Sequence, residues 1–376
     1  MKFQKNHFID RVLDPGAAQK IERTAFWARE LWLLPILILA ALVRVYGSTA
    51  SAIWCDEGSS LLMSQYSPAL IWFHSAHDVH PPLYYFLLHL WIEVFGNGIF
   101  SVRSMSVVPG ILTVALGVWL VQLIATRRAA ILAGVLLALL PIAVRYSQEV
   151  RMYSLMGFWL MGATIALVYW VKNPDRHRYL VIYSLLMAAS FYTHYFTGLC
   201  VLSHWAYLFF MRGEKPRLIT RPAWWIANGL IALLYAPWIP GLIDQLQHLE
   251  QLKVGGDVGW ILPVTRYSLP STIWQYLILT DGLSLKWPLY FSLPLAVALV
   301  AGAVALRDRG PYKFHVLLVT YTFLPLVVVF LISWITPLLV ERYLMFSALG
   351  LPMILAIAID QIERHFRYVA IAMLMG

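Results

Sequence analysis

Long apolar blocks recur along the whole chain, and they limit what it can fold into more than any other feature. They fall near residues 31–48, 83–96, 104–125, 129–144, 153–171, 179–193, 195–211, 223–240, 287–306, 314–335 and 343–359. A further block begins near Tyr368 and is cut off by the end of the sequence, which leaves room for a C-terminal part beyond it. Most blocks are about 15 to 25 residues long, enough to cross a bilayer. Hydrophobic residues make up 60% of the 376 residues and charged residues 12%, against about 25% charged in a soluble domain. No soluble fold of this size hides so much apolar surface. In lipid, backbone polar groups must be bonded within their own segment, so the blocks read as helices. Trp and Tyr at many block ends fit an aromatic belt.

The N-terminal stretch before Leu31 is polar and lacks the apolar core of a signal peptide, so the block from Leu31 to Tyr46 is expected to stay as a signal anchor. The net charge of +9 does not require a nucleic-acid partner, because basic cytoplasmic loops are ordinary for membrane proteins. Cys55 and Cys200 stand far apart and lack metal-ligand spacing, so neither a disulfide scaffold nor a metal site is expected from them.

The block from Leu83 to Phe95 decides the topology. It is short for a span and carries Tyr85, His89 and Glu93 at a spacing of four, the polar edge of an in-plane interfacial helix. Pro81 and Pro82 suit its start. If it lies in the plane and the other blocks span, 20 of the 28 Lys and Arg residues fall inside and 8 outside. If it spans, everything after it flips and the bias disappears, so the positive-inside rule favours the in-plane reading. It also makes 179–211 a hairpin bent near Thr193-His194. The expected architecture is an all-α polytopic bundle of about ten or eleven transmembrane helices, read as a single domain over 1–376. It has a first outer loop over 49–102 and a second over 241–286.

This orientation gathers ionisable groups at the outer ends of the helices, where such groups are costly and often functional. Asp56 and Glu57 follow the first span, and Asp56 there can act as a general base or simply begin a helix. Asp78-Val79-His80-Pro81-Pro82 opens the in-plane helix. Ser147-Gln148-Glu149-Val150-Arg151 separates two apolar helices, with Arg145 and Glu149 at the spacing of a helix-surface ion pair. His194 marks the hairpin tip. Arg103, Arg151 and Arg342 sit at outer helix ends, where one alone would be explained by snorkelling but several beside carboxylates suit a phosphate. Lys253 and Arg266 are candidates for a lid. No glycine-rich nucleotide loop appears.

At these residues the sequence resembles the GT-C membrane glycosyltransferases that use lipid-phosphate sugars. It is most similar to the bacterial branch of glycosyltransferase family 39, the dolichyl-phosphate-mannose protein mannosyltransferase-like enzymes. A more distant likeness is to the aminoarabinose transferases that modify lipid A. The likeness is carried by Asp56-Glu57, Asp78-Val79-His80-Pro81-Pro82-Leu83, Phe95-Gly96 with Phe100-Ser101-Val102-Arg103, Ser147 to Tyr153, and more weakly Glu341-Arg342-Tyr343-Leu344. It covers the first 200 or so residues well and the rest loosely.

The resemblance implies an inverting sugar transfer from a polyprenyl-phosphate donor on the non-cytoplasmic face of the plasma (inner) membrane, the acceptor being lipid, glycan or protein. It gives Asp56 the role of catalytic base, Glu149 that of second acidic residue, and His80 a place beside the donor phosphate. Glu57, Asp78, Arg103, Arg151, His194 and Arg342 are the remaining candidates for substrate binding. A divalent cation beside Asp56 and Glu149 is allowed but not required. The rival from another class is a transporter or lipid flippase, which would be expected to show inverted repeats or helices broken near the midplane.

Overall fold

The computed structural model describes residues 31–211, 217–254 and 261–362, together with Phe366, Ile371, Met373 and Met375. The basic N-terminal stretch, residues 255–260 of the second outer loop, the side chain of Lys253 and Tyr368 lie outside the described residues. Among the described residues the chain is helical, with no strand.

Helix α1 (Leu33–Val45) leads into a first loop that folds into three helices, α2 (Cys55–Ser64), α3 (Pro68–Ser75) and α4 (Leu83–Phe95). Then come α5 (Ile99–Ile124), α6 (Arg127–Leu139), α7 (Pro141–Ser147) and α8 (Tyr153–Lys172). The expected hairpin is α9 (Arg178–Phe191) and α10 (Thr197–Phe210), joined across a turn that contains Thr193 and His194. The remainder is α11 (Pro222–Tyr235), α12 (Ile239–Val254), α13 (Ser268–Ile278), α14 (Trp287–Leu306), α15 (Phe314–Ile332) and α16 (Glu341–Gln361). Among the described residues six helical stretches are long and apolar enough to cross a bilayer, one of them the run Pro222–His248 through α11 into α12, and α6 with α7 makes a seventh if the bent pair counts as one span. Helices α1, α4, α9 and α10 are apolar but only 13 or 14 residues long.

The second outer loop, read from the sequence as 241–286, is itself built on helices. Much of 241–286 is helix, in α12 and α13. Helix α13 and the end of α12 beyond His248 are not apolar all round, so they do not read as spans. Arg266 lies exposed over the Tyr267 ring at 4.9 Å.

Proline sets the bend between α6 and α7, which is 55°. Pro141 has no N–H to give Leu137, four residues back, and its ring displaces the helix. The buried Arg44 guanidinium fills the gap, donating to Ala138 O at 2.9 Å and Leu137 O at 3.3 Å. The partial negative charge of these C-terminal carbonyls suits a cation without a carboxylate.

Small residues and polar side chains hold the helices together, because apolar attraction between helices is weak in lipid. A Cβ on Gly350 of α16 would collide with Thr322 Oγ1 of α15. Buried His204 of α10 bonds Thr164 of α8 at 3.1 Å and Tyr183 of α9 at 3.2 Å, joining three helices with one side chain.

Candidate functional site

Helix α2 begins with the carboxylate pair. The helix-start role falls on Glu57, whose Oε2 accepts from the Trp54 N–H at 3.4 Å from the N3 position. Asp56 is left 28% exposed, and its Oδ2 lies 3.0 Å from Arg342 Nη1. Arg342 stands at the start of α16 between the Trp54 and Tyr343 rings, 5.6 and 5.7 Å from their centroids. Its neighbours are anchored from behind: Tyr146 donates to Glu341 Oε1 at 3.2 Å, and Tyr276 of α13 to Leu344 O at 3.3 Å.

Residues 149–151 form a tight turn, with Arg151 N–H on Glu149 O at 2.8 Å. The turn is stitched to α2. Val150 N–H donates to Glu57 Oε1 at 2.9 Å, and Arg151 Nη1 donates to Asp56 O and to Ser60 Oγ, both at 3.1 Å. Ser106 of α5 holds Arg151 O at 3.0 Å and contacts Tyr84 of α4 at 3.1 Å. The loop that carries Glu149 is therefore positioned by three helices. The i,i+4 ion pair is present, with Arg145 Nε 3.6 Å from Glu149 Oε1. Glu149 Oε2 is buried without a hydrogen-bond partner among the described residues. Burial raises the Glu149 pKa, against the pull of Arg145.

His80 and His194 meet behind this turn. Their rings lie 5.3 Å apart, and Tyr343 is 6.2 and 5.2 Å from them. Tyr153 completes the aromatic wall, 6.1 Å from His194. The Phe196 N–H donates to His194 Nδ1 at 3.1 Å, so the neutral ring carries its proton on Nε2. That Nε2 and His80 Nδ1 are buried without hydrogen-bond partners among the described residues. Asp78 Oδ2 is 3.9 Å from His80 Nδ1, too far to bond, and accepts instead from Tyr85 at 2.7 Å. Gln245 of α12 bonds Asp78 O and Tyr195, so part of the second outer loop buttresses the first.

Burial, and then the nearby Arg151, hold both histidines below the ordinary imidazole range, His194 at about 3. Between about pH 3 and 6.5 the folded protein therefore binds fewer protons here than the unfolded chain, so acid destabilises it. The expected loss is on the order of 1 kcal/mol per pH unit below 6.5 for His194, with His80 adding in the same direction. Thermal unfolding in detergent at pH 7.5 and pH 5 checks this: the midpoint should fall in acid, and less so for His194→Asn.

Asp56, Glu149, Arg151 and Arg342 thus come together, with His80 and His194 on the adjoining wall and Asp78 behind His80. Glu57 and Arg103 are different. They are buried against each other, Arg103 Nη2 lying 2.7 Å from Glu57 Oε2 and Nε 2.9 Å from Oε1. The other Arg103 donors go to Ser48 O, Ser51 O and Ala52 O. In this arrangement every polar atom of the two side chains is engaged by the protein itself, which favours a structural role over the expected substrate contact. Tyr343, Tyr153 and Ser60 join the site although the sequence singles none of them out for a role, Tyr343 and Tyr153 standing only within the quoted motifs.

Among the described residues no three His, Cys, Asp or Glu side chains are grouped to hold a metal ion. Asp56 and Glu149 each face an arginine, a donor set that does not fit a divalent cation.

Residues 79–240 match the dolichyl-phosphate-mannose-protein mannosyltransferase family. No curated protein matches the sequence. Among solved structures, ArnT from Cupriavidus metallidurans in the apo state superposes with a TM-score of 0.64 at 14% identity, over 92% of this chain and 62% of that one. ArnT bound to undecaprenyl phosphate gives 0.63 at 14% identity, over 92% and 63%. The oligosaccharyltransferase AglB from Archaeoglobus fulgidus, in complex with an inhibitory peptide and a dolichol-phosphate, gives 0.57 at 15% identity, over 93% and 52%. The chain thus spans less than two thirds of the length of these proteins. It is a multi-pass, all-helical membrane protein with the GT-C glycosyltransferase fold, and its residues 79–240 carry the match to the protein mannosyltransferase family.

Proposed function

We propose that this protein is a membrane glycosyltransferase that moves a sugar from a polyprenyl-phosphate donor to an acceptor hydroxyl on the non-cytoplasmic face, with inversion. The observation that carries this reading is the partly exposed Asp56 carboxylate, set beside Arg342 and the Arg151-bearing turn. Asp56 takes the hydroxyl proton as the acceptor oxygen bonds to the anomeric carbon. The bond from that carbon to the phosphate oxygen breaks, and the polyprenyl phosphate leaves with the bonding pair. Arg342 and Arg151 offset its charge. His80 and His194, neutral and buried, offer hydrogen bonds rather than charge. The unpaired Glu149 Oε2 accepts from a hydroxyl of sugar or acceptor. The structures of ArnT with undecaprenyl phosphate and AglB with dolichol-phosphate support a donor of this kind. The excess of Lys and Arg on the opposite loops supports the non-cytoplasmic face, and with it the inner membrane.

The test uses the protein in proteoliposomes with a polyprenyl-phosphate donor labelled in the sugar, and a membrane lipid extract as acceptor pool. Label should pass to the acceptor with release of polyprenyl phosphate, and the product should have the opposite anomeric configuration. Passage of intact donor across the bilayer without cleavage would instead support the transporter.

A further inference from the structure

The far end of the bundle carries a second arrangement. Helix α8 is 20 residues long, about 30 Å at 1.5 Å per residue, so the loop after Lys172 lies a membrane's width from Asp56. There α9 and α11 start side by side and run in the same direction, with a crevice of about 550 Å³ between them. Its walls are Leu180, Val181, Ile226, Ala227 and Leu230, and its polar end is formed by His177 and Arg221. Val181 and Ile226 are exposed, so the crevice opens sideways to the surroundings of the bundle.

Among the described residues the charge at the polar end is of one sign with a single exception. Arg176, Arg178 and Arg217 lie exposed on the same loops. The exception is Asp175, whose Oδ1 lies 3.0 Å from Arg221 Nη1. The Asp175 side chain is 95% exposed, so that pair is weak and exchangeable. Arg221 Nε is buried with no hydrogen-bond partner among the described residues. Both helices point their N-termini, the positive ends of their dipoles, at this place. An apolar slot that opens sideways in a membrane protein and ends in a guanidinium with a free donor has the chemistry of a phospholipid site.

We propose that this crevice holds one anionic phospholipid of the leaflet opposite Asp56, with its phosphate at Arg221 and His177 and the first part of an acyl chain between α9 and α11. The stretch from Arg221 to Leu230 is about 14 Å long, room for the upper half of a chain. The lipid would brace α9, whose far end leads to His194.

The test is native mass spectrometry of the purified full chain, mixed with equal amounts of phosphatidylglycerol and phosphatidylcholine. One phosphatidylglycerol should be retained with about fivefold preference, and Arg221→Ser should bring the preference close to one. Ala223→Phe, which fills the crevice, should also lower retention. Arg221→Lys should keep most of the preference and serves as the folding control. Equal retention of the two lipids overturns the proposal, as does an undiminished preference in Arg221→Ser. Complete displacement by excess inorganic phosphate also overturns it, because the acyl chain would then contribute nothing.

Discussion

Asp56→Asn is expected to lower sugar transfer by about 10²–10⁴-fold, the range a positioned general base contributes. The substitution keeps the shape of the side chain and removes only its capacity to take a proton. A base acts in the transition state and not in donor binding, so kcat and kcat/KM should fall together while KM for the donor stays nearly constant. The asparagine keeps a side-chain oxygen within reach of Arg342, 3.0 Å from Asp56 in the wild type, so donor binding should be little changed. Asp56 makes one side-chain ion pair and lies partly exposed, so folding should be little affected and the thermal midpoint should remain within a degree or two of wild type, the scale of a small surface change. Turnover of lipid-phosphate sugar by detergent-purified protein gives the comparison. Near-normal turnover in Asp56→Asn would remove Asp56 as the base, and a parallel loss in Glu149→Gln alone would move the role to Glu149.

The long spans were legible because a continuous apolar block in lipid has essentially one solution. The blocks at 153–171 and 287–306 correspond to helices Tyr153–Lys172 and Trp287–Leu306. Pro141 was visible in the sequence, yet not the 55° bend it causes or the Arg44 that fills the gap. The far end of α12 was hidden because the polar residues beyond His248 break the apolar pattern. The Arg145–Glu149 pair was readable from its spacing alone. Asp56, Arg151, His80, His194 and Arg342 could be gathered because each ends an element on the same side of the bundle. The roles of Glu57 and Arg103 could not be read this way. These residues are 46 positions apart, and nothing in local spacing says that a guanidinium on α5 will meet a carboxylate on α2. From the sequence both looked available to substrate, whereas the fold uses every polar atom they have.

That full use makes the pair the site of the second large effect. Five Arg103 N–H groups have five acceptors: two Glu57 oxygens and the carbonyls of Ser48, Ser51 and Ala52. Glu57 accepts in addition from Val150 N–H and Trp54 N–H. One salt bridge therefore fixes the loop before α2, the start of α2 and the turn beside Glu149. Removing one partner, as in Glu57→Leu or Arg103→Met, leaves a buried charge unpaired and is expected to cost about 3–5 kcal/mol. In the double variant the charges disappear together, so the loss should be smaller than the sum of the two. It should not vanish, because three carbonyls and the Val150 N–H stay unpaired at about 1–3 kcal/mol each where water cannot reach them. Arg103→Lys should behave like a loss rather than a conservative change, since an ammonium cannot reproduce the planar two-point contact. Chemical or thermal unfolding of the four variants in detergent measures the coupling. Transfer per folded molecule should fall with stability, because the same contacts position Asp56 and Glu149. An Arg103→Lys protein with wild-type stability but a raised donor KM would reverse the assignment and return Arg103 to the donor phosphate.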